Sequence, residues 1–390
     1  MRYRAYPSDG QRSRARRIDG CCRVVKNLAK EQRDFAWATS RRRPSYTAQC
    51  GDLQELRNDP EVAPWLAEAP VQVLQQAVKD TDSAYRRFLT GVSGYPRWAK
   101  KSGGVSFRDP QGVRLERVSR RWGRVKIQGL GWVRVRMHRA PLGSRVCSAT
   151  YVEEPDGKVF VAVVVERHER APTKPRIDDP SYRTAVGVDR GGTIGAATFD
   201  GVDADLRNFT PLRPGEAERL RRLERSRERK KLARKANKQA DVERKIASLY
   251  ARKRRRGNDF VEQTSDDLAK NHSLSVFERL AVKPMTASAK GTLEAPGVNV
   301  KQKAGMNRSF LSKSPAMLEA RTAQKVLRHG HRSIEVAASG TSITCPVPTC
   351  RNVDPDNRAS RDLFRCTNCG HEAHADANAA IEMGVRRNRR

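Results

Sequence analysis

The stretch Ala-Val-Gly-Val-Asp-Arg-Gly-Gly, residues 185–192, decides the fold of the second half of the chain. Its first four residues are apolar and favour a β-strand that ends at Asp189. The glycines that follow allow a tight turn and let a phosphate approach the backbone closely. Carboxylates are poor nucleophiles toward phosphodiesters but good ligands for Mg²⁺, so Asp189 is the first candidate for a metal-binding residue.

Two further acidic residues lie in comparable settings. Glu278 follows the β-prone Ser-Val-Phe of residues 275–277, and Asp376 lies at the start of a predicted helix, where Asn378 can also point into the site. Two strands and one helix that each supply an acid are the arrangement of an RNase H-like fold. Taken singly, each acid also fits as a turn residue, a surface charge or a helix N-cap. Their joint occurrence on suitable elements favours one shared site.

Three carboxylates of this kind can hold two Mg²⁺ ions against a single scissile phosphate. One ion lowers the pKa of an attacking water, and the other stabilises the departing 3′ oxygen. We predict that Asp189 bridges both ions, that Glu278 and Asp376 each anchor one, and that Mn²⁺ can substitute for Mg²⁺.

Four cysteines near the end of the sequence have the spacing of a zinc site. Cys366 and Cys369 are separated by two residues and followed by glycine, which allows a tight knuckle, while Cys345 and Cys350 are separated by four. Four thiolates leave no open position on the metal, so we predict a structural Cys₄ zinc ribbon. His371 and His374 are alternative ligands but fit better as loop residues, and nothing in the sequence favours disulfides.

The composition indicates a polyanionic partner. The chain has 390 residues, with 78 Lys and Arg against 44 Asp and Glu and a formal net charge of +34. Nucleic acid is the partner that neutralises such a charge, and its binding should fall steeply with salt. A ribosomal or chromatin-like protein with solvated basic faces is the alternative on charge alone. No transmembrane run and no secretory signal are recognised, so we expect a cytoplasmic protein with no membrane partner.

In the first half of the sequence, the predicted secondary structure changes from helix to strand near residue 100. Residues 9–100 are predicted to be mainly helical, with apolar residues at helical spacing over 70–89. Residues 104–168 contain β-branched runs separated by turns, at 124–128, 132–137 and 159–166, which predict a small antiparallel barrel or sheet. Residues 170–180 are rich in Pro and Asp and are predicted to be a linker.

The second half alternates short strands with helices. A helix or helical hairpin over 216–256 is strongly basic, with 18 Lys or Arg between residues 219 and 256. The other predicted elements are strands at 184–189, 193–200, 274–280 and 333–338, a loop at 286–308, a helix at 310–329 and a disordered basic tail at 386–390.

Several of these motifs together resemble the TnpB proteins of insertion sequences and the compact type V CRISPR effector nucleases related to them. The similarity runs through most of the chain, and the group at 374–380 is the most specific. The matching stretches are residues 6–7, 20–27, 94–98 and 130–133 in the first half, 187–191 and 277–283 around the first two acids, and 341–345, 361–366 and 374–380 around the cysteines and the third acid.

The resemblance implies a mixed α/β, multidomain fold. An oligonucleotide-binding (OB)-like wedge β-barrel would occupy residues 1–170, with a helical recognition insertion at about 9–100. A RuvC nuclease domain, which is RNase H-like, would occupy 181–344 and include the basic hairpin at 216–256. The zinc ribbon would occupy 345–370, and the last part of RuvC with the basic tail would occupy 371–390.

The resemblance also implies an activity, that of an RNA-guided, Mg²⁺-dependent DNA endonuclease. A guide RNA would pair with one strand of target double-stranded DNA, while the protein reads a short flanking motif. One RuvC site would cut both strands in turn and leave 5′ phosphates. Arg358 matches an arginine that assists the reaction in some relatives, and Gln75, Gln76 and Lys79 are candidates for reading bases. Such a protein would be prokaryotic and associated with the nucleoid when bound to DNA, as a monomer or a dimer.

Two other functions remain open from the sequence. One is an RNA-guided DNA-binding repressor that does not cut, although this chain keeps all three acids. The other is a transposition-associated DNA-processing enzyme, although the acid order Asp, Glu, Asp differs from the usual Asp, Asp, Glu. The four-residue spacing of Cys345 and Cys350 and the sequence of the loop at 285–307 depart from most relatives, so a transposon and a CRISPR context are both possible.

Overall fold

The structure is a computed structural model that describes residues 1–101, 104–139, 145–166, 185–191, 194–232, 236–292 and 294–386. It divides into two compact units, one formed by residues 1–169 with 243–247 and the other by 170–242 with 248–390. Both units contain helices and strands, in agreement with a mixed α/β class. The predicted linker at 170–180 and the tail beyond residue 386 lie outside the described residues.

The first unit contains a seven-stranded antiparallel sheet in the order β2-β6-β7-β1-β5-β4-β3. Alternate residues of its strands are buried, such as Val159, Val161 and Val163, because one face of the sheet covers the core. The strands are β1 Arg2–Tyr6, β2 Val105–Asp109, β3 Arg114–Arg117, β4 Trp122–Ile127, β5 Gly131–Arg136, β6 Arg145–Glu153 and β7 Val159–Glu166.

Three helices precede most of this sheet in sequence. They are α1 Asp9–Ser40, α2 Tyr46–Asn58 and α3 Val71–Leu89, with a 3₁₀ turn at Pro64–Glu68. A capping box starts α1, since the side chain of Ser8 accepts from the backbone N–H of Gln11 and the side chain of Gln11 accepts from the N–H of Ser8. The apolar stripe of α3 is buried, including Leu74 and Val78, as its helical spacing predicts.

The second unit is built on a five-stranded sheet in the order β10-β9-β8-β11-β12. β8, β11 and β12 are parallel, whereas β9 and β10 are antiparallel additions. Every residue of β8 is buried, as expected for a central strand covered on both faces. The strands are β8 Ala185–Asp189, β9 Ala196–Phe199, β10 Ala204–Arg207, β11 Leu274–Glu278 and β12 Arg332–Val336.

Six α-helices lie in the described residues of this part of the sequence. They are α4 Pro214–Leu232, α5 Ala236–Asn271, α6 Val282–Met285, α7 Val300–Ser312, α8 Pro315–Val326 and α9 Ala375–Arg386. Within the described residues, the basic segment therefore forms two helices, with Glu216 near the start of α4 ion-paired to Arg252 and Arg256 of α5. No described helix is long and apolar enough to cross a membrane.

The prediction of one helix over 310–329 was wrong. α7 begins at Val300, inside the expected loop, and ends at Ser312, and α8 begins at Pro315. Proline disfavours a helical conformation in the residue before it, and Ser314 has a left-handed backbone with φ 54°. The chain is therefore broken between α7 and α8, at a point that the apolar spacing alone did not reveal.

A small β-hairpin follows β12. β13 Leu363–Arg365 pairs with β14 Glu372–His374 in antiparallel register, and α9 begins directly after β14. Phe364 is fully buried and packs with Cys345, Cys366 and Ala375. This packing places the cysteine cluster beside the first turn of α9.

Candidate active site

Asp189 and Glu278 lie side by side at one edge of the second sheet. Each is the last residue of its strand, and the parallel register pairs Phe277 with Val188, directly before the two acids. Because the carboxyl ends of parallel strands meet at the same edge, the sheet itself brings these two acids together. Asp189 is only 9% exposed, and Glu278 is half-buried.

Asp376 reaches the same edge from the first turn of α9. This helix lies so close to β8 that a Cβ atom on Gly187 would be 1.9 Å from the carbonyl oxygen of Ala380. A Cβ atom on Gly191 would be 3.1 Å from Oδ2 of Asp376. Glycine at both positions therefore permits the close approach that sets the third acid against the turn after Asp189.

One cavity of about 420 Å³ is lined by all four predicted site residues of this region, Asp189, Glu278, Asp376 and Arg358. The structure thus brings together residues from a strand, a second strand, a helix and the loop before β13. Several residues with no predicted role also line the cavity, among them Lys303, Asn307, Thr341, Arg361 and Asp362.

The acids of this cavity hold their protons unusually strongly. Burial, followed by repulsion from Asp376 and Glu278, raises the pKa of Asp189 to about 7. Burial raises the pKa of Glu278 against the opposing hydrogen bond from Thr341, and burial raises the pKa of Asp376 against the nearby charges of His374 and Arg358. The nearby cationic side chains therefore do not compensate for the burial of these carboxylates.

Arg190 is a structural residue of the site that the sequence analysis missed. Its guanidinium is buried, pairs with Glu319 of α8 at 2.7 Å and also donates to the backbone carbonyls of Pro315 and Glu278. It lies 5.1 Å from the ring centroid of Phe277. Arg190 thus ties the ends of β8 and β11 to α8. An arginine directly after an acid at a buried strand end was the available signal.

Thr341 and Arg358 contact the acids or their surroundings from two loops. The hydroxyl of Thr341 lies 2.9 Å from Oε1 of Glu278 and 3.0 Å from the carbonyl oxygen of Ala338. Arg358 donates to the carbonyl oxygen of Arg361 at 3.0 Å, and its charge acts on Asp376. Thr341 therefore orients Glu278, while Arg358 supplies positive charge at the rim of the cavity.

The expectation that Asn378 points into this cavity was wrong. Its side chain is fully buried and donates to the backbone carbonyl of Thr344 at 3.2 Å. Two positions along a helix rotate the side-chain direction by about 200°, so Asp376 and Asn378 point to nearly opposite faces of α9. Asn378 therefore fastens α9 to the segment before Cys345 instead of facing the acids.

The four predicted cysteines form a single cluster. Their sulfur atoms all lie within 4.8 Å of one another, with Cys345 to Cys369 at 3.6 Å and Cys350 to Cys366 at 3.7 Å. These distances are too long for disulfides. Burial opposes ionisation of Cys366, but hydrogen bonds from the backbone N–H groups of Cys369 and Asn368 lower its pKa to about 6. Among the described residues, this is the one group of potential ligands that converges so tightly.

Neither of the two histidines near this cluster belongs to the convergent group of ligand atoms. The backbone carbonyl of His371 accepts from the N–H of Cys366, and Nδ1 of His374 accepts from the N–H of Asp376 at 3.2 Å. The donor set is therefore four thiols, which fits Zn²⁺ in a closed tetrahedral site.

Comparison with known proteins gives the family. The chain is 31% identical over 97% of its length to the putative RNA-guided DNA endonuclease InsQ of Escherichia coli (strain K12), of which it covers 90%. The chain belongs to the TnpB family. A second relative, a putative RNA-guided DNA endonuclease of Streptomyces pristinaespiralis, is 28% identical, with 74% of this chain and 69% of that protein covered. The family predicted from the motifs is confirmed.

Two family models match parts of this TnpB-family chain. The Cas12f1-like, TNB domain matches residues 316–383, a range that includes all four cysteines and Asp376. A helix-turn-helix domain model matches residues 1–42, where the structure has β1 and the uninterrupted helix α1. The structure of residues 1–42 is thus a strand and one helix, and not the two helices joined by a turn that the name of this family model describes.

A solved structure supports the fold of this TnpB-family chain. The protein in a cryo-EM structure of a Cas12f1–sgRNA–target DNA complex aligns with a TM-score of 0.51, at 12% identity, over 94% of this chain and 81% of that one. The mixed α/β architecture therefore resembles that of a Cas12f nuclease.

The predicted base-reading candidates lie on α3, away from the acids in sequence. Gln75 and Gln76 are half-buried and Lys79 is exposed. The side chain of Gln76 donates to Asp80 at 2.8 Å. Their role in recognition stays a prediction.

Proposed function

We propose that this protein is an RNA-guided, divalent-metal-dependent DNA endonuclease. The observation that carries the proposal is the convergence of Asp189, Glu278 and Asp376 on one cavity, where burial and mutual repulsion raise the pKa of Asp189 to about 7. Such a cluster is stabilised by cations. The names of its relatives and the charge of +34 support nucleic acid as the substrate.

In this proposal the two units correspond to the two functional halves of the family. The seven-stranded sheet with α1–α3 is the OB-like wedge with its helical recognition insertion, and the unit that carries the acids is the RuvC domain with its zinc ribbon. A guide RNA and target double-stranded DNA are the partners, as in the solved complex of the Cas12f1 protein. The protein would act in the prokaryotic cytoplasm, on nucleoid DNA.

The three acids would hold two Mg²⁺ ions in the cavity that they line. Carboxylate oxygens are the ligands that Mg²⁺ and Mn²⁺ prefer. The charges of Arg190 and Arg358 do not offset the burial that raises the pKa of the three acids. Asp189, Glu278 and Asp376 would together hold the ions. When bound, the ions supply Lewis-acid stabilisation and lower the pKa of a water molecule.

The side chains of this chain have distinct tasks in the reaction. Thr341 holds Glu278 in one orientation through the 2.9 Å contact. Arg190 fixes the strand ends on which Asp189 and Glu278 lie, and α9 fixes Asp376. Arg358 and Lys303 at the cavity rim would bind the phosphate oxygens and stabilise negative charge that develops there. The cysteine cluster would hold Zn²⁺ as a structural ion.

The decisive experiment begins with the RNA that copurifies with the protein. Sequencing this RNA defines the guide, whose variable end can then be rewritten to match a plasmid carrying a library of flanking sequences. We expect Mg²⁺-dependent cutting at the matched site, and we expect Asp189→Ala to abolish cutting while RNA binding is retained.

The results that contradict the proposal are equally specific. Guide-dependent target binding without any cut product, by the wild-type protein at millimolar Mg²⁺, would indicate a repressor. Strand-joined products would indicate a transposition enzyme. Cutting that persists in Asp189→Ala would show that the cavity is not the active site.

A further inference from the structure

A second cavity lies in the first unit, at the ends of α1 and α3. It measures about 160 Å³ and is lined mainly by aromatic rings and arginines: Arg33, Trp37, Arg43, Tyr85, Phe88, Leu89 and Tyr95. This volume is well below the ~300–1,000 Å³ of sites for drug-sized ligands. It therefore suits a single planar ring system.

Three of the four aromatic rings of this cavity, those of Tyr85, Phe88 and Tyr95, are held by contacts with one another or with a shared carboxylate. The carboxylate of Asp34 accepts hydrogen bonds from the hydroxyls of both Tyr85 and Tyr95, each at 2.5 Å. Tyr95 also meets Tyr85 and Phe88 edge to face, with centroid distances of 5.8 and 5.1 Å. A preorganised aromatic wall loses little entropy when a flat ligand stacks on it.

Much of this aromatic surface faces solvent. Trp37 is 44% exposed and Tyr95 is 50% exposed, and the neighbouring Trp98 and Leu89 are also exposed. A cluster of solvent-exposed aromatic side chains indicates a binding surface, because their exposure does not stabilise the fold.

Cations surround the exposed rings. α1 ends where Arg41 adopts a left-handed backbone with φ 56°, and the chain then places Arg41 and Arg43 at 5.6 and 4.9 Å from the ring centroid of Trp37. Lys30 lies 4.6 Å from the centroid of Tyr95. Within the described part of the chain, Arg41, Arg42 and Arg43 form no ion pair with a carboxylate. Their charges are therefore available to an anion.

We propose that this cavity binds one unpaired nucleotide of a nucleic-acid strand. The base stacks on Trp37 beside Tyr95 and Phe88, in place of a guanidinium group that lies over that ring, and the arginines at 41–43 bind the adjoining phosphate. Stacking on aromatic side chains next to cations is the usual way in which proteins hold single-stranded bases. A flat ring attached to an anion is the ligand that matches both features of the site. The inference rests on the proposed function only in that the ligand is nucleic acid.

The test uses the full-length protein freed of RNA, without added Mg²⁺. Short single strands of RNA and of DNA, each carrying one 5-iodouracil, are irradiated with the protein, and the crosslinked peptides are identified by mass spectrometry. We expect crosslinks on peptides that contain Trp37 or Tyr95. The strand that gives the larger yield identifies the occupant as RNA or DNA.

Binding measurements with matched variants test the stacking itself. Trp37→Ala should weaken affinity about tenfold with an unchanged salt dependence, since no phosphate contact is lost. Trp37→Phe should retain most of the affinity and Trp37→Leu should not. Arg43→Ala should reduce the slope of log affinity against log salt by about 0.7. Trp65→Ala is the control, because Trp65 is also 40% exposed but lies outside this cavity.

Two results would overturn the proposal. If Trp37→Ala and Trp65→Ala bind equally well, the cavity does not hold a base. If Trp37→Leu binds the strands as well as Trp37→Phe does, any apolar side chain is sufficient at this position. The surface would then suit a protein partner instead of a base. These assays measure binding and not cutting. A protein that binds these strands through Trp37 but never cuts DNA would therefore contradict the proposed endonuclease function and still support this binding site.

Discussion

Asp189 is the residue on which the chemistry of the cavity depends most. It is buried at the end of a central strand and is repelled by two other carboxylates, so its proton is retained up to a pH of about 7. A side chain in this position weakens the fold whenever it is charged and no cation is bound. Such a cost is expected where a site is arranged for its ligand and not for stability.

The first prediction concerns the stability of the protein without added Mg²⁺. The raised pKa of Asp189 means that its contribution to stability is complete below its unfolded pKa near 4 and is lost as the pH rises through about 7. The wild-type protein should therefore lose about 2–3 kcal/mol more than Asp189→Asn between about pH 5 and pH 8.

Thermal denaturation at the two pH values measures this difference. Glu294→Gln, which neutralises an exposed acid outside the cavity, serves as the control. Equal pH dependence in the wild-type protein and in Asp189→Asn would contradict the assignment of the loss to Asp189.

The second prediction concerns the hydroxyl that contacts Glu278. Thr341→Val keeps the shape of the side chain but removes its hydrogen bond, so the orientation of Glu278 in the cavity should be less well held. We expect single-turnover cutting to slow by about 10- to 100-fold, the typical effect of removing such a partner of a ligand. Thr341→Ser should restore most of the rate, and RNA binding should not change. A rate that stays low in Thr341→Ser would assign the effect to packing.

At the scale of elements, the ribbon and α9 are joined by a buried ion-pair network. Glu382 of α9 is fully buried, and each of its carboxylate oxygens accepts a 2.6 Å hydrogen bond from the guanidinium of Arg351. Its Oε1 also lies 2.7 Å from Nε of Arg386. Arg351 directly follows Cys350, and Arg386 donates to the carbonyl oxygens of Ala337 and Ser339. The network thus links the cysteine cluster, the helix of Asp376 and the segment that leads to Thr341.

The third prediction is that Glu382→Gln destabilises the protein by about 3 kcal/mol, because two arginines would lose a buried carboxylate. Chemical denaturation measures the loss, and a colorimetric chelator should release zinc faster from the variant. Glu372→Gln is a matched control in the same ribbon, since its pair with Arg365 is 2.8 Å long but exposed, and it should cost less than about 1 kcal/mol. Similar losses in both variants would show that burial is not what gives the network its strength.

The elements that carry the acids and the cysteines could be predicted from the sequence because their signals are local. The apolar run before Asp189, the run before Glu278 and the cysteine spacing each lie within a few consecutive residues. The partner of Arg190 could not be predicted, since Glu319 is 129 positions away and only the fold brings them together. The direction of the Asn378 side chain could not be predicted either. The packing of α9 on β8 determines which face of α9 lies against the cavity, and this packing is also a long-range contact.

At the scale of the whole molecule, positive charge is spread over both halves of the sequence. The net charge of +34 includes 18 Lys or Arg between residues 219 and 256. A protein with this excess gains much of its affinity for nucleic acid from the release of counterions, which is independent of base sequence.

The fourth prediction follows from this charge. The affinity for guide RNA should fall by at least about 100-fold between about 50 and 200 mM salt, as measured by fluorescence anisotropy. The thermal stability of the RNA-free protein should change far less over the same range, because burial of apolar side chains is not screened. An affinity that varies by less than about tenfold would show that few phosphates are contacted.

The order of the three acids along the chain has a consequence for synthesis in the cell. Asp189 and Glu278 emerge from the ribosome well before α9, and the helix that carries Asp376 packs against β8 only after almost all of the other described elements have been made. A nascent chain can therefore form both parallel strands while it still lacks one of the three carboxylates. The proposed nuclease site would therefore be incomplete, and unable to cut DNA, until α9 has been synthesised and has packed against β8.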